Sequence, residues 1–211
     1  PSVAEHVTGA GGPEQALNNL CLWASEERFR VDVHLLQGLC NVREASARLS
    51  EIADICICEI TEMARLDMRR RYGQLPEEQF AVIGLGRLGS QQLTSVSDLD
   101  LMFVYDSPSN TRSNGQQTLE AGLYYNRWSQ LIISWLSAQT AKGKLFDVDT
   151  RLRPDGKSGS LAIHIHRLSA YFSSEAWPWE YCAFLKARAI NVGKTFNTSL
   201  QQTLLNIKTS P

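Results

Sequence analysis

Two apolar runs, 80–83 and 99–105, dominate the middle of this chain, and only a glycine-rich turn and a short polar stretch separate them: FAVIGLGRLGSQQLTSVSDLDLMFVYD, residues 80–106. The polar stretch carries Asp98 and Asp100 into the second run. Read as a strand, that run has a period of two, which puts Asp98 and Asp100 on one face and turns Leu99 away. Two carboxylates side by side at a strand entrance repel each other. A divalent cation removes the repulsion, and hard oxygen ligands of this kind suit Mg²⁺ carrying phosphates. The expectation is metal-assisted chemistry on a nucleotide.

Gly84, Gly86 and Gly89 spell G-x-G-x-x-G after a strand, with Asp106 some way downstream, which invites a dinucleotide-binding reading. The spacing argues against it. A parallel crossover needs a dozen or more residues, and the stretch from Gly89 to Leu99 is too short for a full helix, the turn and the return. One helical turn followed by a loop is expected there instead. In that arrangement Gly89 and Ser90 would hold phosphates through backbone N–H groups at the N-terminus of the short helix, where the dipole favours anions. Asp98, Asp100 and a third acid would bind one or two Mg²⁺, an arrangement suited to nucleotidyl transfer.

Composition bounds the alternatives. At 211 residues with 43% hydrophobic content the chain can bury a real core. A net charge of −1 leaves no basic footprint for nucleic acid. The five cysteines, Cys21, Cys40, Cys56, Cys58 and Cys182, form no C-x-x-C pair and sit in apolar or helical patterns, as buried thiols in a reducing compartment would. Cys56 and Cys58 point to different sides of a helix and make a poor zinc pair. No apolar run approaches the roughly 18 residues of a membrane span, and no basic-then-apolar leader opens the chain. A cytoplasmic protein is expected. Its start at Pro1, without methionine, suggests a fragment of something longer.

Around the central stretch, residues 14–24 read as a short helix, and 26–39 mix charge with Phe29, Val31, Val33, Leu35 and Leu36 without a settled type. From Asn41, Ala45, Leu49, Ile52, Cys56, Ile60 and Met63 recur at helical steps. Arg69–Arg71 and Gly73 end that helix with ordinary stop chemistry, which outweighs a phosphate-binding role for these arginines. A long helix is predicted over 116–140, its Trp128 and Trp135 serving core packing rather than base stacking. A third strand is predicted over 145–152. Alternation puts Asp147, Asp149, Arg151 and Arg153 on one of its faces, either a charged cleft floor or an exposed edge laced with ion pairs. The turn RPDGKSG follows, then a short strand near 161–163 and a helix over 175–190. The polar sequence past Gly193 gives little information.

Three blocks then carry a resemblance: GLGRLGSQQLTSVSDLDLMFVYD, VDTRLRPDGKSG and EAWPWEYCAFLKARAI. A glycine-serine pair, a short spacer and an Asp-x-Asp strand resemble the nucleotidyltransferase superfamily typified by DNA polymerase β. In their order the blocks are similar, more narrowly, to the glutamine synthetase adenylyltransferase family, over about half the chain. The resemblance implies an α+β fold, a small mixed sheet flanked by helices: a helical N-terminal segment (1–75) packed on a catalytic domain (76–193), with a tail (194–211). It implies Asp98, Asp100 and Asp149 as catalytic, metal-binding acids, Gly89 and Ser90 on the triphosphate, and Arg151 and Arg153 contacting phosphate or orienting the acids. Lys186 and Arg188 match a family motif and are open to packing or phosphate contact. ATP would be the substrate, Mg²⁺ or Mn²⁺ the cofactor, and glutamine synthetase the protein partner. The PII signalling protein would act through the full-length enzyme, its sensing domain lying outside this chain. The family has one domain that adds AMP to a tyrosine of glutamine synthetase and a sister that removes it. TAKGKLFDVDTRLRP and EAWPWE are more similar to the adding domain. Where the family has a second glycine and then an acid, this chain has Ser90-Gln91-Gln92, so a role for that acid does not carry over. The alternatives are the removing domain and a non-catalytic nucleotide sensor, which would have no need of Asp149.

Overall fold

The computed structural model describes residues 12–156, 159–193 and 196–209. Its helices and strands, in chain order, are α1 (Gly12–Leu36), α2 (Val42–Tyr72), β1 (Gln79–Gly84), α3 (Gly86–Gly89), β2 (Leu99–Asp106), α4 (Ala121–Ser137), β3 (Val148–Asp149), β4 (Ala162–His164), α5 (Ile165–Ser174), α6 (Pro178–Phe184), β5 (Arg188–Val192) and α7 (Asn197–Thr209).

The sheet is mixed, with the order β3-β2-β1-β5. β1 pairs antiparallel with β2, Gln79 opposite Asp106 and Gly84 opposite Leu101, and antiparallel with β5 on its other side, where a bulge falls between Val82 and Ile83. β3 and β4 both run parallel to β2 along one edge, β3 at its start and β4 near its end.

Both faces of the sheet are covered, which is why its two central strands read as unbroken apolar runs rather than as alternating ones. Phe80, Val82, Leu101 and Phe103 face one core with α1, α2 and α4. Phe80 stacks on Trp128 at 4.3 Å, so that tryptophan is a packing residue. The intervening Ala81, Ile83, Met102 and Val104 face a second core with α5, α6 and α7. The fold is thus α+β, a small mixed sheet between helices, of nucleotidyltransferase type.

α2 runs as the sequence predicts. Asn41 and Glu44 form a reciprocal capping box at its start, and Gly73 closes it at φ 73°, donating its N–H to the Arg69 carbonyl. Four elements differ from the sequence reading. α1 is one helix through the unsettled stretch, because Leu17, Leu20, Ala24 and Val31 lie at helical spacing and pack on α2. α4 begins only at Ala121, since the preceding residues are held in a turn by reciprocal bonds between Ser113 and Leu119. β3 is two residues rather than eight: the Asp149 carboxylate accepts the Arg151 backbone N–H (2.8 Å), diverting the chain from the ladder just before Pro154. The helix expected over 175–190 is a short helix and then a strand. Pro178 starts α6, while Arg188–Val192 fills the open edge of β1. α7, unread in the sequence, buries Leu200, Leu204 and Ile207, spaced i, i+4, i+7. No helix among the described residues is long and apolar enough to cross a membrane. Cys21, Cys40 and Cys56 are buried free thiols, and burial pushes the Cys56 thiol well up.

Candidate active site

The start of β2 carries the site. Leu99 is buried and fixes the strand, so Asp98 and Asp100 take the opposite side. The pairing of Asp100 with Asp149 across the parallel β2–β3 ladder puts the third acid abreast of the second, where side chains share a face. The Leu99 N–H donates to the Asp147 carbonyl (2.9 Å), extending that pairing by one bond. Beside these strands lies an open cleft of about 560 Å³ lined by Asp98, Asp147, Val148, Asp149, Thr150, Arg151 and Arg153.

The acids feel one another. Burial, and then the charges of Asp98 and Asp149, raise the Asp100 carboxyl above its ordinary value, with Arg151 opposing. The Asp100 carboxylate also leans back over the turn after β1. A Cβ on Gly86 would sit 2.1 Å from Asp100 Oδ2, and Gly86 has φ 51°. Both facts require glycine there, a role the sequence reading did not assign.

Arg151 closes on Asp149 from the solvent side: its Nε donates to both carboxylate oxygens, at 2.8 and 3.0 Å. Its side chain is 71% exposed while that of Asp149 is 16% exposed, so the arginine can leave without disturbing the core. Arg153 turns inward. It donates to the carbonyl and the hydroxyl of Thr150, burial lowers its guanidinium from the ordinary value, and its Nε is buried with no hydrogen-bond partner among the described residues.

Gly89 and Ser90 close the C-terminal end of α3 rather than opening a helix. Gly89 N–H donates to the Leu85 carbonyl (2.7 Å), and Ser90 N–H to the Gly86 carbonyl (3.2 Å). The Ser90 hydroxyl also donates to the Gly86 carbonyl (3.0 Å). Gly89 itself is required by packing, since a Cβ there would meet the Lys186 carbonyl oxygen at 2.1 Å. The structure therefore brings Asp98, Asp149, Arg151 and Arg153 to one cleft with Asp100 beside them, and leaves Gly89 and Ser90 off its lining. Arg188 is a strut: its two terminal amines donate to Asp54 of α2 (2.8 and 2.9 Å), and one also donates to the Leu88 carbonyl (3.1 Å).

A small mixed sheet with an Asp-x-Asp at the head of one strand and a third acid abreast on its parallel neighbour defines a nucleotidyltransferase-type protein. A sequence profile of the glutamate-ammonia ligase adenylyltransferase family matches residues 2–203, and the chain belongs to that family. It is 37% identical over 191 residues to the bifunctional glutamine synthetase adenylyltransferase/adenylyl-removing enzyme of Rhizobium meliloti, covering 90% of this chain and 19% of the relative. It is 34% identical over 199 residues to the enzyme of that name from Brucella suis (94% and 20%), and 31% identical over 210 to that from Rhodopseudomonas palustris (99% and 21%). The chain thus spans about a fifth of the length of these relatives.

Proposed function

We propose that this chain carries the nucleotidyl-transfer site of such an enzyme and moves AMP from ATP to a tyrosine hydroxyl of glutamine synthetase in the cytoplasm. The observation that carries the reading is the juxtaposition of Asp98, Asp100 and Asp149 at the head of the β2–β3 pair. Their donor chemistry fits a hard divalent cation: three carboxylates, one of them raised by its burial and then by the charges of the other two. Asp98, Asp100 and Asp149 would hold Mg²⁺, or Mn²⁺ in its place. When bound, such an ion neutralises the charge that develops on the leaving pyrophosphate.

The chain's own groups divide the remaining work. Asp149, with Arg151 turned away, is the acid that takes the tyrosine hydroxyl proton. Arg151, released from Asp149, turns to the phosphates, and Arg153 holds the Thr150 backbone so that Asp149 keeps its orientation. Ser90 keeps hydroxyl lone pairs but already spends its O–H and N–H within the turn. It and Gly89 reach the triphosphate only if that turn re-pairs on binding. The division of labour along the chain is a helical segment, 1–75, whose described helices α1 and α2 brace a catalytic unit, 76–193, followed by a tail, 194–211, whose helix α7 packs behind that unit. Residues 1–11, 194–195 and 210–211 lie outside the described residues. PII would act through the remainder of the full-length enzyme.

The test follows AMP from labelled ATP into glutamine synthetase. Asp98→Asn should lower incorporation at least about 100-fold, and retained activity would remove the site. The reverse direction, phosphorolysis, is read separately: adenylylated glutamine synthetase supplied with phosphate should yield little ADP. Rapid ADP formation would assign the chain to the removing reaction instead.

A further inference from the structure

At the far end of β2, roughly 20 Å from the acids at its start, Asp106, His164 and His166 form a second polar cluster. One carboxylate oxygen and one ring nitrogen from each histidine lie within 4.8 Å of one another. The three residues come from fixed positions. Asp106 ends β2, His164 ends β4 beside Tyr105, and His166 sits in the first turn of α5. Tyr105 packs edge-on against the His164 ring at 5.2 Å, and the two imidazoles stack at 5.1 Å. Among the described residues Asp106 has no lysine or arginine within ion-pairing distance. Its partner is His164 Nε2, at 3.5 Å. The cluster opens into a cleft of about 360 Å³ that also takes in Glu77, Gln79 and Ser107.

We propose that Asp106, His164 and His166 form a second metal site, chemically distinct from the carboxylate site, that takes Zn²⁺ or another late first-row divalent ion and refuses Mg²⁺. Two imidazoles and one carboxylate match the borderline ions, whereas Mg²⁺ takes oxygen ligands and keeps its water. Position strengthens the distinction. The cluster lies against the N-terminus of α5, where the helix dipole opposes a cation held by charge alone, so affinity has to come from nitrogen ligation. A bound ion would need its ligands about 3.3 Å apart, as ligand distances of 2.0–2.2 Å in a tetrahedron require, so the exposed His166 side chain closes by about an ångström or more. His164 Nδ1 now accepts the His166 backbone N–H (3.2 Å), which leaves the ring proton on Nε2, toward the Ser107 carbonyl (3.1 Å). Ligation through Nε2 moves that proton to Nδ1, so the His166 backbone N–H and the Ser107 carbonyl both lose His164 as a partner. No proton is lost to solvent from a neutral ring. The effect would be to tie the end of β2, through Asp106, to the β4–α5 junction.

The test is equilibrium binding of Zn²⁺, and of Co²⁺ as a spectroscopic substitute, to the 211-residue chain carrying Cys182→Ser, so that the exposed thiol does not compete. With excess Mg²⁺ present to occupy the carboxylate site, one equivalent should bind with a nitrogen/oxygen Co²⁺ spectrum and without a thiolate charge-transfer band. Excess Mg²⁺ should not displace it. His166→Ala and Asp106→Asn should each weaken binding at least about 10-fold. His166→Ala is the decisive variant because the His166 side chain is exposed and meets the fold through its stacking on His164, while its backbone N–H, which bonds His164 Nδ1, is retained. Affinity unchanged in that variant, displacement by Mg²⁺, or no saturable Zn²⁺ binding would each overturn the site.

Discussion

Asp100 has to be ionised to hold a cation, yet its position beside Asp98 and Asp149 and its partial burial both disfavour the ionised form. A carboxylate raised in the native state favours unfolding when ionised, so it weakens the metal-free protein at neutral pH and ceases to do so as pH falls through its native value. Asp100→Asn should therefore raise the melting temperature of the metal-free chain by a few degrees at pH 7 while lowering AMP transfer. The gain should fade on acidification toward the ordinary carboxylate range, near ~4. A melting temperature that drops at pH 7 would show that the carboxylate serves the fold rather than the ligand. The two-residue period placed Asp98 and Asp100 together because alternation depends only on backbone geometry, whereas on the third strand it set Asp147 and Asp149 alike on one face, and the family resemblance singled out Asp149. Gly86 escaped because its need arises from a side chain reaching back from the next strand, which no local pattern encodes. Gly89 was assigned to phosphate for the same reason: its crowding comes from the Lys186 carbonyl, far away in sequence.

Among the elements, those with a buried face set by long periodicity were legible, notably α2, β1 and β2. Those decided by a neighbour were not. Arg188–Val192 carries a helix-compatible sequence but pairs with β1 because that edge is open and Asp54 waits for its arginine. The tertiary pairing overrode local propensity. This also separates the two roles open to Arg188. As a strut it satisfies Asp54 and the Leu88 carbonyl, both in partly buried surroundings, and Arg188→Ala would leave them without that partner. The expected cost is about 1–3 kcal/mol, or a fall of roughly 2–12 °C in melting temperature. Adding Asp54→Ala should recover part of it, since removing both partners is less costly than removing one. Were phosphate contact the role, ATP affinity would fall with no loss of thermal stability, and a double-mutant cycle read by melting and by ATP titration distinguishes the two.

For the whole molecule, the question is whether the sheet and its acids can stand without the two N-terminal helices. Residues 12–72 join the same core as Phe80, Val82, Leu101 and Phe103, and polar contacts cross the boundary as well. The Trp128 indole N–H donates to the Thr61 carbonyl (3.1 Å), Arg28 donates to the Leu145 carbonyl (2.9 Å) just before β3, and Arg69 pairs with Glu78. Arg28 thus supports the approach to Asp149 from outside the catalytic unit. Removing 1–75 would uncover one face of the sheet. At about 1.5–3 kcal/mol for each large apolar side chain returned to water, the loss of a handful of them equals the entire stability of an ordinary domain, about 5–15 kcal/mol. α4 covers only part of that face. A chain of residues 76–211 should accordingly bind a hydrophobic dye, melt without a cooperative transition and incorporate no AMP. The full chain should unfold in one step that includes α1 and α2. A sharp, cooperative melt of 76–211 alone would mean that α4 suffices to cover the sheet, and the helical segment would then be an attached unit rather than part of the catalytic core.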